Sequence, residues 1–272
     1  MRLRFYLLTI IGFCALTATT AAKAQSVATE SLTHVKTTFT EFGVARVSLL
    51  DTYLSPLTYK GTDVALLHRT ERTAHWGNER VTVQALYSAH GAYASSPTDD
   101  GKYLDAELSL AGGWHYNWQP STHWHWAAGG LLEASGGFTY NTRNGNNPAQ
   151  GRLGTALLAS GLAEYKFRLA KQSAWVRLQI DAQMMGVQFS PEYGQSYYEI
   201  FSLGHTHGIL HFTHPGNCPS ARALLNVVVP IKRSRISLGY QTDVRQSKLG
   251  GLKRHAWRNC FMIGFVRKLQ RI

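Results

Sequence analysis

Long apolar runs are what this sequence has least of. One lies near the N-terminus, over residues 7–16, and no later stretch reaches the roughly 18 to 20 apolar residues of a membrane-crossing helix. If the rest of the chain lies in a bilayer, it does so as a closed barrel, because backbone polar groups in lipid must be paired within the protein. Cysteine is nearly absent, with only Cys14, Cys218 and Cys260, so a disulfide framework is excluded. Cys14 falls in the N-terminal run, and the other two can bridge or remain thiols. Acids are also few, with 16 Asp and Glu against 28 Lys and Arg. Such an excess of cations calls for anionic surroundings.

The N-terminus narrows which surroundings. Arg2 and Arg4, the apolar run and Ala22-Lys23-Ala24 have the order of a secretory signal, giving a signal peptide over 1–24 and a single domain over 25–272. An exported basic protein meets lipid rather than nucleic acid. Outer-membrane lipid and lipopolysaccharide are therefore the expected partners, and the chain is expected as a monomer in the outer membrane of a Gram-negative bacterium.

What the chain does have is strict alternation. Leu104, Ala106, Leu108, Leu110, Trp114, Tyr116 and Trp118 share one parity, and Asp105, Glu107, Ser109, His115 and Asn117 the other. Period 2 is the geometry of a strand, and a strand this long outruns the usual soluble one of about 5 to 6 residues. The pattern recurs over 124–140, 157–168, 176–184 and 235–245, and a β-bulge near Met185 and Gly186 accounts for a change of parity. Trp114, Tyr116, Trp118, Trp124, Trp126, Phe138 and Tyr140 fall near strand ends, as interfacial aromatics do.

Clusters of Gly, Asn and Pro separate these runs. Between them lie eleven strands, near 44–54, 62–72, 81–93, 103–118, 123–140, 154–168, 174–189, 197–212, 221–230, 234–246 and 256–269. Because barrels of this kind favour even counts, a twelfth is expected within 34–42. The predicted fold is an all-β antiparallel transmembrane-type barrel of about twelve strands.

Four segments carry a resemblance: Asp51-Thr52-Tyr53-Leu54-Ser55-Pro56-Leu57; Tyr140 to Ala149; Phe189-Ser190-Pro191 with Gly194 to Phe201; and Asp243-Val244-Arg245-Gln246-Ser247-Lys248. They resemble a family of exported Bacteroidetes proteins defined as a domain of unknown function. The resemblance spans nearly the whole exported chain. It implies an envelope location and an outer-membrane barrel, and it supplies no activity and no catalytic residue.

The candidate chemistry lies on the polar parity. Asp105, Glu107, Glu133, Glu164 and Asp181 can pair with Arg168, Arg177, Arg235, Arg245 and Arg258 across a lumen. Such pairs either fill a narrow barrel or polarise a constriction that selects ions. Asn141, Arg143, Asn144, Asn146 and Asn147 form a polar segment that suits a ligand-reading loop. His205, His207 and His211 share a parity on the predicted 197–212 strand, with His214 beyond. No carboxylate or thiol at matching spacing completes a metal shell, so no metal and no cofactor is expected.

Ser88 and His90 have the spacing of a nucleophile and its base. They share the lumen parity, so no residue is assigned as catalytic. The function expected is that of a structural, binding or narrow-channel component. A lipid hydrolase using that Ser/His pair and a soluble periplasmic β-protein are the alternatives.

Overall fold

The computed structural model describes residues 35–145, 147–169, 172–231 and 234–270; the expected signal peptide lies outside them. These residues form β1 (Val35–Asp51), β2 (Ser55–Thr73), β3 (Val81–Ser95), β4 (Lys102–Trp118), β5 (Trp124–Asn141) and β6 (Ala149–Leu169). There follow β7 (Gln172–Phe189), a short helix α1 (Tyr197–Phe201), β8 (Leu210–Thr213), β9 (Ala221–Ile231), β10 (Ser234–Leu249) and β11 (Leu252–Gln270).

Neighbouring strands pair antiparallel, and β1 meets β11 from Val35↔Gln270 to Asp51↔Arg254, which closes the ring. One edge of β7 is taken by β6 along nearly its whole length. Its other edge holds β9 against Trp175–Ala182 and β8 against Gly186–Phe189. Among the described residues the barrel thus has ten staves, with β8 as a short addition beside β7.

The expectation of twelve is corrected at two places. Residues 35–42 make no separate strand, because they continue without a break through Gly43 into the rest of β1. The 197–212 strand is not one either. Ser196 Oγ accepts from Glu199 N at 3.2 Å while Glu199 Oε2 accepts from Ser196 N at 2.7 Å, a capping box that starts α1 instead. Consequently His205 and His207 lie in the 190–209 connection and His211 on β8, not on one shared strand.

The ring is strongly sheared. A row of cross-strand partners leaving β4 at Leu104 runs through Tyr93, Thr62, Arg46, Asn259, Thr242, Ala223, Ile180, Gly161 and Ala128. It returns to β4 at Tyr116, twelve residues on. Such a stagger tilts strands by about 35–45°. At about 3.3 Å per residue, the ten residues from Leu104 to Trp114 then span about 25 Å along the barrel axis, the height of a lipid-facing band.

Exposure decides which parity faces outward. Leu108 is 64% and Leu132 63% exposed, whereas Glu107 is 7% and Glu133 1%. Trp114, Tyr116 and Trp118 on β4 and Trp124 and Trp126 on β5 stand exposed at the end that bears the first and last described residues, the terminus end. Phe138 and Tyr140 mark the opposite, loop end.

The lumen is not uniformly polar. Phe39, Trp175, Val228 and Val266 form a layer near the terminus end. Ala45, Leu67, Leu86, Leu131, Leu158, Leu224 and Met262 belong to a layer across the middle. Val47, Leu54, Tyr59 and Tyr103 belong to a third near the loop end, where the two tyrosine rings stack at 3.6 Å. Gly264 makes room for lumen side chains. A Cβ there would sit 2.0 Å from Thr40 O and 2.8 Å from Glu41 Cγ.

Candidate functional site

Between the apolar layers the staves place charges facing one another. Ten of the chain's 16 acids point into the lumen: Glu41, Asp51, Asp63, Glu71, Asp105, Glu107, Glu133, Glu164, Asp181 and Asp243. Against them stand Arg69, Arg152, Arg177, Arg222, Arg245, Arg254 and Arg258, so the cationic excess lies outside the lumen lattice.

Arg258 is the hub of the loop-side half. Its Nε donates to Asp63 Oδ2 at 3.1 Å and its Nη2 to Asp105 Oδ2 at 2.8 Å, with Glu107 Oε2 at 3.5 Å. Arg254 Nη2 donates to Glu107 Oε2 at 3.0 Å and Arg152 Nη2 to Asp105 Oδ1 at 2.7 Å. Arg245 pairs with Glu133 and donates from Nε to Asp243 Oδ1 at 3.0 Å.

The lattice continues downward through Arg222, whose Nη2 donates to Asp181 Oδ2 at 2.9 Å. Gln179 Nε2 donates to Asp181 Oδ1 at 3.0 Å and Gln84 Nε2 to Gln179 Oε1 at 3.0 Å. At the lower end Arg177 Nη1 donates to Glu71 Oε2 at 2.7 Å, and Arg69 lies 4.0 Å above the Phe39 ring. Buried charges held this way are costly to separate, because removing one partner strands the other in a region of low dielectric.

At the loop end, a cavity of about 50 Å³ opens among Glu107, Glu133, Arg152, Arg245, Arg254 and Cys218. That is room for a few waters and far below the roughly 300 Å³ of a small-molecule pocket. Burial pushes the Cys218 thiol up, away from a reactive thiolate. Cys218 and Cys260 are both free.

A family profile described as "Protein of unknown function (DUF3316)" matches residues 6–272. The chain belongs to that family. No curated protein matches it in sequence. The outer membrane protease OmpT of Escherichia coli is similar at 4% identity, over 91% of this chain and 100% of that one, with a TM-score of 0.49. The translocator domain of the autotransporter NalP of Neisseria meningitidis shares 10% over 97% and 98%, TM-score 0.44. Ail, the attachment invasion locus protein of Yersinia pestis, shares 14% over 85% and 98%, TM-score 0.32. The DUF3316 chain has an outer-membrane-type β-barrel fold on its own geometry: closed antiparallel staves, an apolar outer band with aromatic rims and charged groups within.

The DUF3316 lumen brings together Asp105, Glu107, Glu133, Asp181, Arg177, Arg245 and Arg258, with Glu164 Oε2 at 3.9 Å from Arg177 Nη1. Two expected members are elsewhere. Arg168 is exposed at the terminus rim, beyond the last lumen layer. Arg235 packs 5.5 Å from the Trp175 ring centroid rather than on a carboxylate. Ser88 Oγ lies 2.7 Å from Ser109 Oγ and His90 Nδ1 3.0 Å from Asp63 Oδ1, both in the lumen and away from lipid.

In the 142–148 turn, Asn141 is buried and donates to Leu54 O at 3.4 Å, while its Oδ1 accepts from Arg143 N at 3.0 Å. Arg143 pairs with Asp100, Asn144 Nδ2 donates to Asn147 O at 3.4 Å, and Asn146 lies outside the described residues.

Sequence reasoning missed Asp63, Arg69, Glu71, Arg152, Arg222, Asp243 and Arg254 as lattice members. On β2 the signal was hidden by Ala65 and Leu67, which share the lumen parity with Asp63 and Arg69 and so blur the alternation.

The 190–209 connection is tied to the loop end through two phenols. Tyr197 Oη accepts from Gly151 N at 2.6 Å and donates to Gln150 Oε1 at 3.0 Å. Tyr53 Oη donates to Gln195 O at 3.2 Å. Burial pushes the Tyr197 phenol up to about 12 from an ordinary 10.0. A raised phenol favours the folded state below its unfolded pKa and loses that contribution as pH climbs through the folded one. Docking of this connection is therefore expected to weaken between pH 10 and about 12. Tyr197→Phe should mimic the loss at neutral pH, costing about 0.5–1.5 kcal/mol locally and speeding limited proteolysis within 190–209. Cleavage at the wild-type rate would refute the assignment.

Proposed function

We propose that this DUF3316 protein is an exported, monomeric outer-membrane barrel of a Gram-negative, Bacteroidetes-type envelope, acting as a structural or binding component rather than as a channel. Residues 1–24 would be the leader and 25–272 the barrel domain. The observation that carries this reading is the filled lumen: Leu67, Leu86, Leu131, Leu158, Leu224 and Met262 pack across its middle, and the charged lattice running past them from Arg245 through Glu133, Arg222 and Asp181 is paired within itself. An ion following the axis would have to leave water and displace buried, mutually paired side chains, at a cost of several kcal/mol.

The terminus end suits the periplasm and the loop end the outside, since periplasmic turns are the shorter ones and 190–209 is the longest connection between described strands. On this reading the working surface is that outer crown. Tyr193, Tyr198, Phe201 and Leu203 stand exposed there, an apolar group of the kind that marks contact sites, beside the polar 142–148 turn.

Planar-bilayer recording tests the choice. Purified, inserted protein is expected to give no steps above baseline. Discrete steps whose ion preference changes with Glu107→Lys would establish a channel and overturn the proposal.

A further inference from the structure

Four cations on the outer wall near the loop end are unpaired. Arg46 on β1, Lys60 on β2, Lys248 on β10 and Lys253 on β11 all point away from the lumen and are exposed. The other cations of this rim, Lys102 and Arg143, are matched with Asp99 and Asp100; no such partner meets the four among the described residues. Strands β10, β11, β1 and β2 are consecutive staves, so the four lie on one side of the barrel, as two pairs.

Lys248 and Lys253 are direct cross-strand partners. Like charges so placed, with Cβ atoms about 4.5–5.5 Å apart, destabilise a sheet unless an anion lies between them. Arg46 and Lys60 are diagonal neighbours, since Arg46 is opposite Thr62 and Ser48 opposite Lys60. The two pairs lie about two strand spacings apart across the sheet, about 10 Å, and four to six residues apart along it, about 13–20 Å.

Arg46 also sits in an outward row that is polar where other staves are aliphatic. It is flanked by Thr62 and Asn259, and Asn259 Oδ1 accepts from Thr242 Oγ1 at 3.1 Å. A cation on the lipid face is tolerated where its side chain can reach headgroup phosphate. No Asp or Glu occupies an outward position of these four strands among the described residues.

We infer that this patch binds the phosphates of an outer-leaflet glycolipid, the lipid A of lipopolysaccharide, with one cation pair for each of two phosphates. The inference rests on the outer-membrane reading with the loop end outward. A second copy of the chain fits the patch poorly, because a two-fold contact would set the same cations against themselves.

Native mass spectrometry of the full chain folded in detergent tests it, with bisphosphorylated lipid A, dephosphorylated lipid A and phosphatidylglycerol as probes. Bisphosphorylated lipid A is expected to bind at least about tenfold more tightly than either of the others. The combined variant Arg46→Gln, Lys60→Gln, Lys248→Gln and Lys253→Gln should lose that preference. Arg46→Lys should keep most of it, and Lys36→Gln with Arg72→Gln at the opposite rim should not change it.

Equal retention of the dephosphorylated lipid or of phosphatidylglycerol, or an unchanged preference in the fourfold variant, overturns the assignment. So does a wild-type dimer that the fourfold variant disperses, which would make the face a contact between copies. Heat-modifiable gel mobility shows separately that each variant is folded. A chain absent from the outer-membrane fraction fails the location reading, whereas a chain in that fraction that ignores the phosphates fails this inference alone.

Discussion

Arg258→Ala is expected to destabilise the folded barrel by about 3–5 kcal/mol, the cost of stranding buried charge. Arg258 is 1% exposed and touches Asp63, Asp105 and Glu107, carboxylates from β2 and β4, while it stands on β11. The pairing crosses the lumen, so the residue holds opposite walls together as well as neutralising them. Its removal leaves Asp105 with Arg152 and Glu107 with Arg254 and Arg245, and leaves Asp63 with His90 alone. Asp63→Asn in the Arg258→Ala background should therefore recover part of the loss, which a simple packing defect would not allow. Urea titration of protein in vesicles, followed by the gel shift between folded and unfolded forms, measures both. A loss below about 1 kcal/mol would place the lattice in contact with water.

The second large effect belongs to the outer wall. Leu132→Arg places a cation near the middle of the lipid-facing band and should cost about 2–4 kcal/mol, whereas Leu104→Arg, at the loop-side interface, should cost about 0–1 kcal/mol. The contrast matters more than either value. Both leucines are exposed on the barrel surface, 63% and 43%, and in a water-soluble β-protein neither exposed site would discriminate by depth. Equal, small costs at the two positions in the same titration would support the periplasmic alternative.

The sequence carried the lipid-facing pattern well where the lumen side is charged. Along β4 and β5 the outward set containing Leu108 and Leu132 and the inward set containing Glu107 and Glu133 are as the alternation places them. The bulge expected near Met185 and Gly186 lies one residue earlier: Leu157 pairs with Met185 and Leu158 with Gln183, leaving Met184 unpaired.

Alternation is uninformative where both faces are apolar. Leu131 and Leu132 are adjacent, one in the lumen layer and one on the outer wall, and nothing local distinguishes them beyond parity counted from Glu133. The same ambiguity concealed β2's lumen charges and the apolar packing in the middle of the filled lumen, on which the functional reading turns. The count of twelve failed for a different reason. The Ser196-Tyr197-Tyr198-Glu199 capping signature is legible, but the place of 197–212 between two turn clusters favours a strand. Arg168 and Arg235 have the right parity and the wrong height, and parity carries no information about distance from the rim.

Depth-resolved fluorescence quenching tests the central claim most directly. A bimane label is placed at Leu108→Cys and at Leu132→Cys, in a chain with Cys218→Ser and Cys260→Ser, reconstituted in lipid vesicles. The account predicts strong quenching by lipids doxyl-labelled on their acyl chains and almost none by aqueous iodide at both sites. Efficient iodide quenching with no response to the doxyl lipids would contradict it.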